Sequence, residues 1–277
     1  MERLASELAE NLEAFRALFH APENCDFVVR ELAPHGVRMA ALYIDGMANR
    51  RNLEDMVLRP LMNMRPFGGM APEGRSAALA AQVLPTGTGK LESGVRKIAD
   101  FVLDGNCAVL CDGCAQAVLA EMPGFASRAV DQPPIESAAF APHEAFNETI
   151  RTNLTLLHRI LRTPDFVTEI LEIGDSSKTK VAVTYLSGVA NPAVVREVKR
   201  RLEGVEVDRL LSIGQLQQLI EDRPFGLLPQ IMQTERPDRV ASFLTDGMVA
   251  IACDGAPYPR CVMRDLLSSP PRTVGVT

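Results

Sequence analysis

Cys107, Cys111 and Cys114 stand at the C-x3-C-x2-C spacing with which three thiolates hold an iron–sulfur cluster in radical enzymes. Cluster ligands come from a loop that can wrap the metal, whereas Cys107 and Cys111 fall on one face of a run that reads as a strand. The residue before the third cysteine is Gly113, where the radical-enzyme pattern carries an aromatic. The trio therefore reads as small buried hydrophobes and a turn thiol, with an iron–sulfur enzyme as the disfavoured alternative. Thr86–Lys90 (TGTGK) is a glycine turn rather than a phosphate loop, because that motif needs glycine at Leu84 and Ser or Thr at Leu91. His20, His35, His143 and His158 have no ligand-spaced partner, and no serine sits in a nucleophile elbow. No carboxylate pair stands apart from the background. No catalytic residue, metal or cofactor is expected.

One polar stretch is left without a packing role: Pro229 and Gln230, then Thr234, Glu235, Arg236, Pro237 and Asp238. Thr234 has the type and place to cap the helix that follows, with Glu235 favoured at its positive end. Arg236, with its planar fork, is the natural anchor if the stretch instead meets another lobe or subunit. Gln230, Thr234, Glu235, Arg236 and Asp238, with Arg151 and Asn153 further back, form the candidate interface or ligand contact.

The elements that must position these residues come in two copies. Tyr43, Gly46, Ala48 and Asn49 return, all at one constant offset along the chain, as Tyr185, Gly188, Ala190 and Asn191. At that same offset, Ala99–Gly113 against Ala241–Gly255 is identical at 8 of 15 positions without a gap. The expectation is an α/β (α+β) protein of two related lobes from an internal duplication, each a small mixed β-sheet packed with helices. In the first lobe Asp26–Leu32 and Met39–Ile44 read as a hairpin, and Asn49 caps a helix carrying Leu53, Met56, Val57 and Leu61. A helix over about Leu91–Leu103 leads to a strand, an Asp-Gly turn and another strand over Ala115–Ala120. In the second lobe Phe166–Ile173 and Lys180–Leu186 are strands, Asn191 and Pro192 open a helix ended by Gly204, and Ser212 caps another. Pro237 opens a short helix, and Met248–Cys253 is again a strand before Asp-Gly. The expected organisation is an amphipathic helix over 1–20, a first lobe over 21–130, a proline-rich connector and central helix over 131–165, a second lobe over 166–263 and an irregular tail over 264–277.

A chain of 277 residues with 47% apolar side chains is long enough for two cores, and a net charge of −6 gives no positive field for nucleic acid. No apolar run reaches the ~18 residues of a membrane helix. Six cysteines without a secretory leader point to reduced thiols.

Leu42–Gly46 (LYIDG), Leu58–Met62 (LRPLM), Phe146–Leu154 (FNETIRTNL), Ser177–Pro192 (SKTKVAVTYLSGVANP) and Pro229–Asp238 (PQIMQTERPD) resemble, in order, the soluble N-terminal region of the A subunit of GerA-family spore germination receptors. The similarity runs from about Cys25 to Tyr258. It implies a membrane-associated, non-enzymatic part of a nutrient-sensing complex at the spore inner membrane, on the cytosolic side, acting in signal relay or assembly with B- and C-type subunits during germination. A homo-oligomer and a small nutrient ligand are left open. In the family the second Asp-Gly turn leads into a multi-helix membrane domain, so a chain ending at Thr277 is expected to be a truncated frame or a freestanding lobe pair. The connector reads Ala139, Phe140, Ala141, Pro142, His143, Glu144, where the family has a glycine and an arginine before the glutamate. The alternative function is that of a freestanding two-lobed protein binding a small ligand, the cleft between lobes being a common place for such a site.

Overall fold

The computed structural model describes residues 2–84, 89–122, 144–210, 212–221, 231–257 and 259–262. The connector, Gln230, most of the TGTGK turn and the tail lie outside the described residues. The chain divides into two compact units: among the described residues, 2–122 with 162–165 form the first, and 144–161 with 166–262 the second.

The first unit runs α1 (Leu8–Leu18), β1 (Phe27–Leu32), β2 (Met39–Ile44), α2 (Arg50–Leu53), α3 (Arg59–Met62), α4 (Arg75–Ala78), β3 (Lys90–Glu92), α5 (Val95–Leu103), β4 (Cys107–Cys111) and β5 (Ala117–Ala120). Its sheet has the order β1-β2-β4-β5-β3. Alternate residues of a strand face opposite sides, and both sides are covered here. Ala40, Leu42, Ala108 and Leu110 meet Leu8, Leu12 and Phe15 of α1 and Ile98 and Val102 of α5. Met39, Ala41, Cys107, Val109 and Cys111 meet Leu53, Val57 and Leu61. That two-sided burial is why β2 and β4 read as unbroken apolar runs rather than alternating ones. The helix expected at the N-terminus is thus one cover of this sheet, with Leu12 and Phe15 at 3% and 0% exposure.

Asn49 opens the helical segment after β2, its Oδ1 accepting from Arg51 N and Asn52 N at 3.1 and 3.2 Å. Between α2 and α3 a wide π turn spans Glu54–Leu58. Four-residue steps drift around an α-helix, and the wide turn offsets that drift, so Leu53, Val57 and Leu61 stay on the sheet. Pro60, which has no N–H to give, follows this turn.

The second unit runs α6 (Ile150–Leu161), β6 (Phe166–Ile173), β7 (Thr179–Leu186), α7 (Pro192–Glu203), α8 (Ile213–Ile220), β8 (Ile231–Gln233), α9 (Pro237–Thr245), β9 (Val249–Cys253) and β10 (Arg260–Val262), with sheet order β6-β7-β9-β10-β8. Here α7 and α8 cover Val181, Val183, Val249 and Ile251. On the opposite face α6 and α9 pack with Phe166, Leu186 and Ala250.

Three expectations need correction. The sheets are antiparallel at every described strand pairing, not mixed. A parallel neighbour arises from one crossover helix, and the chain between β2 and β4 makes several passes instead. The helix expected from Leu91 starts at Val95, because Lys90–Glu92 is an edge strand on β5. Glu92 turns the chain into that helix, its Oε1 accepting from Ser93 N and Gly94 N at 2.9 and 2.8 Å, and these bonds, Gly94 first, hold its carboxyl below the usual range. Finally, Arg236 rather than Thr234 is the residue before α9.

Candidate functional site

Each Asp-Gly turn after a central strand ties down a helix start. Asp112 Oδ1 accepts from Leu8 N at 3.0 Å, and Asp254 Oδ1 from Ile150 N at 3.1 Å. Glu7, at the N-cap of α1, makes no side-chain cap, so the carboxylate that meets the positive helix end comes from the far turn. Gly113 N then donates to Ser6 O at 2.9 Å and Gly255 N to Glu148 O at 2.7 Å, with φ of +84° and +81°. In the first turn of each helix an asparagine closes a ring on the backbone ahead of it. Asn11 exchanges two bonds with Ala5, both 2.8 Å, and Asn153 two with Asn147, at 2.8 and 2.6 Å. These partners, too, are related by the offset that links Tyr43 to Tyr185.

Asn153, a candidate contact from sequence, is 1% exposed and holds this loop. Arg151, half-buried in the first turn of α6, accepts Thr155 Oγ1 on its carbonyl at 2.9 Å. Thr234 and Glu235 are 2% and 4% exposed. Thr234 Oγ1 accepts from Arg236 N at 3.2 Å, and Glu235 O accepts from Phe146 N at 2.9 Å, which joins the segment before α9 to the segment before α6. Arg236 lays its fork on Asp238, Nε to Oδ1 at 3.1 Å and a terminal nitrogen to Oδ2 at 2.5 Å. That bond and the guanidinium charge hold the Asp238 carboxyl below its usual range. The structure therefore brings Thr234–Asp238 together as a braced corner.

The cysteines sit where a packing role puts them. Cys107 and Cys111 face the cluster of α2 and α3, and burial pushes the Cys107 thiol up to about 12. Cys114 ends the turn, 3% exposed, its thiol donating to Pro72 O at 2.9 Å. Among the described residues no group of three or more His, Cys, Asp or Glu could hold a metal ion. A half-open pocket of about 450 Å³ lies in the first unit, lined by Pro60, Met64, Phe67 and Met70 with Arg65 as its cation. Sequence reasoning did not find it, since most of its lining comes from the loop after α3, which has no periodicity.

A family model described as Bacillus/Clostridium GerA spore germination protein matches residues 13–262. Spore germination protein B1 of Bacillus subtilis (strain 168) is 31% identical over 256 residues, 92% of this chain and 52% of that protein. Spore germination protein KA of the same organism is 28% identical over 258 residues, 92% of this chain and 46% of that protein. The chain thus spans about half the length of these relatives. A crystal structure of the N-terminal domain of the A subunit of the Bacillus megaterium spore germinant receptor GerK3 is similar with a TM-score of 0.73 and 27% identity, covering 94% of this chain and 96% of that one.

Proposed function

Since the chain belongs to the GerA family of spore germination proteins, we propose that it is the N-terminal region of a germinant-receptor A subunit, relaying a signal or holding partner subunits at the spore inner membrane, without catalysis. The observation that carries this reading is the near-complete coverage, in both directions, of the GerK3 A-subunit N-terminal domain. The two units are read as products of one duplication. Partner contact is placed at the rim of the braced corner, through Arg236, Asp238 and Arg151. Thr234 and Glu235 brace the corner through Arg236 N and Phe146 N, and Asn153 holds the loop ahead of α6.

Co-purification tests the reading. The tagged chain, co-expressed with B- and C-type receptor subunits, is expected to retain at least one of them. Arg236→Ala and Arg151→Ala should weaken retention while the chain stays folded by circular dichroism. A folded chain that retains no subunit in any combination overturns the assembly role. Full retention by both variants would move the contact away from the corner.

A further inference from the structure

The turn Cys111-Asp112-Gly113-Cys114 carries two thiols in the first unit, while the same turn in the second unit reads Cys253-Asp254-Gly255-Ala256. Both turns close the same way, Cys114 N on Cys111 O at 3.1 Å and Ala256 N on Cys253 O at 3.2 Å. The second cysteine is therefore not needed to build the turn. Its side chain lines the same apolar cluster as that of Cys111, whose own thiol donates to Asp112 O at 3.7 Å as Cys253 does to Asp254 O at 3.5 Å. Residues at the two ends of such a turn have Cα atoms within about 7 Å, inside the range that a disulfide spans without backbone rearrangement. Both thiols are free. We propose that Cys111 and Cys114 form a reversible intramolecular disulfide by exchange with a low-molecular-weight disulfide, which makes this turn a thiol-modification site on the first unit.

The surroundings set the order of events. Arg75, whose Nη1 donates to Asp112 O at 3.3 Å, brings a positive charge to the turn. Cys114 lies under the exposed end of the loop at Pro72, 2.9 Å from Pro72 O, whereas Cys111 faces the cluster of α2 and α3. Cys114 is thus the attacking sulfur and Cys111 the resolving one. Access is controlled by a thin cover: the exposed single turn Pro72–Gly74 lies on Gly113, where an added Cβ would fall 2.5 Å from Pro72 Cβ. With the cover shut, Pro72 O accepts the Cys114 thiol proton. When the turn lifts, the Cys114 thiolate attacks one sulfur of the reagent disulfide and expels one thiolate. Cys111 then gives up its proton, its sulfur attacks that of Cys114, and the second thiolate leaves. Two protein thiols are oxidised and one reagent disulfide is reduced to two thiols. The product has no S–H left for Pro72 O, so the cover loses its tie to the turn.

The test treats the reduced, folded chain with oxidised glutathione and maps its peptides by mass spectrometry, with exposed Cys25 as the internal control for reaction. The expected result is a peptide short of two hydrogens, linked 111 to 114 and restored by dithiothreitol. Cys111→Ser should instead trap a glutathione adduct on Cys114. Cys114→Ala, which copies the sister turn, should keep the fold and show neither product. Modification of Cys25 while Cys111 and Cys114 stay free in the wild-type chain overturns the proposal without any variant. So does an adduct on Cys111 rather than Cys114.

Discussion

Asn11 and Asn153 are polar, 1% exposed, and use both ends of the amide on the backbone ahead of a helix. Removing such a group leaves the half-buried N–H and C=O of Asn147 without partners, so Asn153→Ala should cost about 1–3 kcal/mol in urea or thermal denaturation. Asn153→Asp should cost more, because it loses the donor and buries a charge. An isolated asparagine gives no sign of burial in a sequence, and its place in a family-like stretch pointed to a contact instead. Its counterpart at the repeat offset, Asn11, was the available signal. Glu197 shows the opposite case, a carboxylate whose setting is legible from spacing, with Arg200 and Arg201 three and four residues on along α7. Arg200 first and Arg201 next, by hydrogen bonds and charge, take it down to about 2 from 4.5. With a depressed folded pKa, the stabilisation is complete above about 4.5 and disappears as pH falls toward about 2. Glu197→Gln should therefore narrow the stability difference between pH 5 and pH 2 (about the span of the two pKa values), read as melting temperature against pH.

At the scale of elements, the two Asp-Gly turns differ in their neighbours. Gly113 and Gly255 share the left-handed conformation, which costs a non-glycine residue roughly 1–2 kcal/mol. A Cβ at Gly255 meets nothing within 4 Å, whereas one at Gly113 collides with Pro72. Gly113→Ala should be the more destabilising by at least about 1 kcal/mol, and equal melting temperatures for the two variants would show that the cover yields freely. These turns were legible because Asp-Gly has a mechanism that survives any context. So were the caps: Asn191 accepts from Ala193 N at 2.9 Å and Ser212 from Gln215 N at 3.2 Å, both as expected. The short strands β3, β8 and β10 were not, since three residues are too few to show a period. Thr234 was misread by two positions. Its hydroxyl does meet a backbone N–H, but in a turn that ends where the helix begins.

Across the whole molecule, the apolar clusters assign to one unit or the other: α1 to β5 supply two of them, and the segment from Phe146 onward supplies three. Residues 1–128 expressed alone should therefore give a cooperative thermal transition with native-like circular dichroism, and a flat melt would show that the first core is incomplete by itself. The repeat offset holds for the pairings β2–β4 and β7–β9, Leu42 with Ala108 and Thr184 with Ala250, and for both edge strands beyond them. It fails for β1 and β6: Val28 faces Tyr43, but Tyr185 is faced by Val167 and not by Ile170, the residue that the offset would put there. Spare length sits before the strand in one unit and after it in the other, so the offset is broken across β1 and β6 and resumes at Tyr43. The helix ties reach further along the chain than any of these pairings. Leu8 waits for Asp112 and Ile150 for Asp254, 104 residues in both cases. On a ribosome adding roughly 5–20 residues per second, that is on the order of 5–20 s in which each opening helix is made but has no carboxylate at its start. Both halves are thus built to be sealed at their beginning by something synthesised near their end, and a nascent chain stopped short of either aspartate would present an amphipathic helix to whatever meets it first.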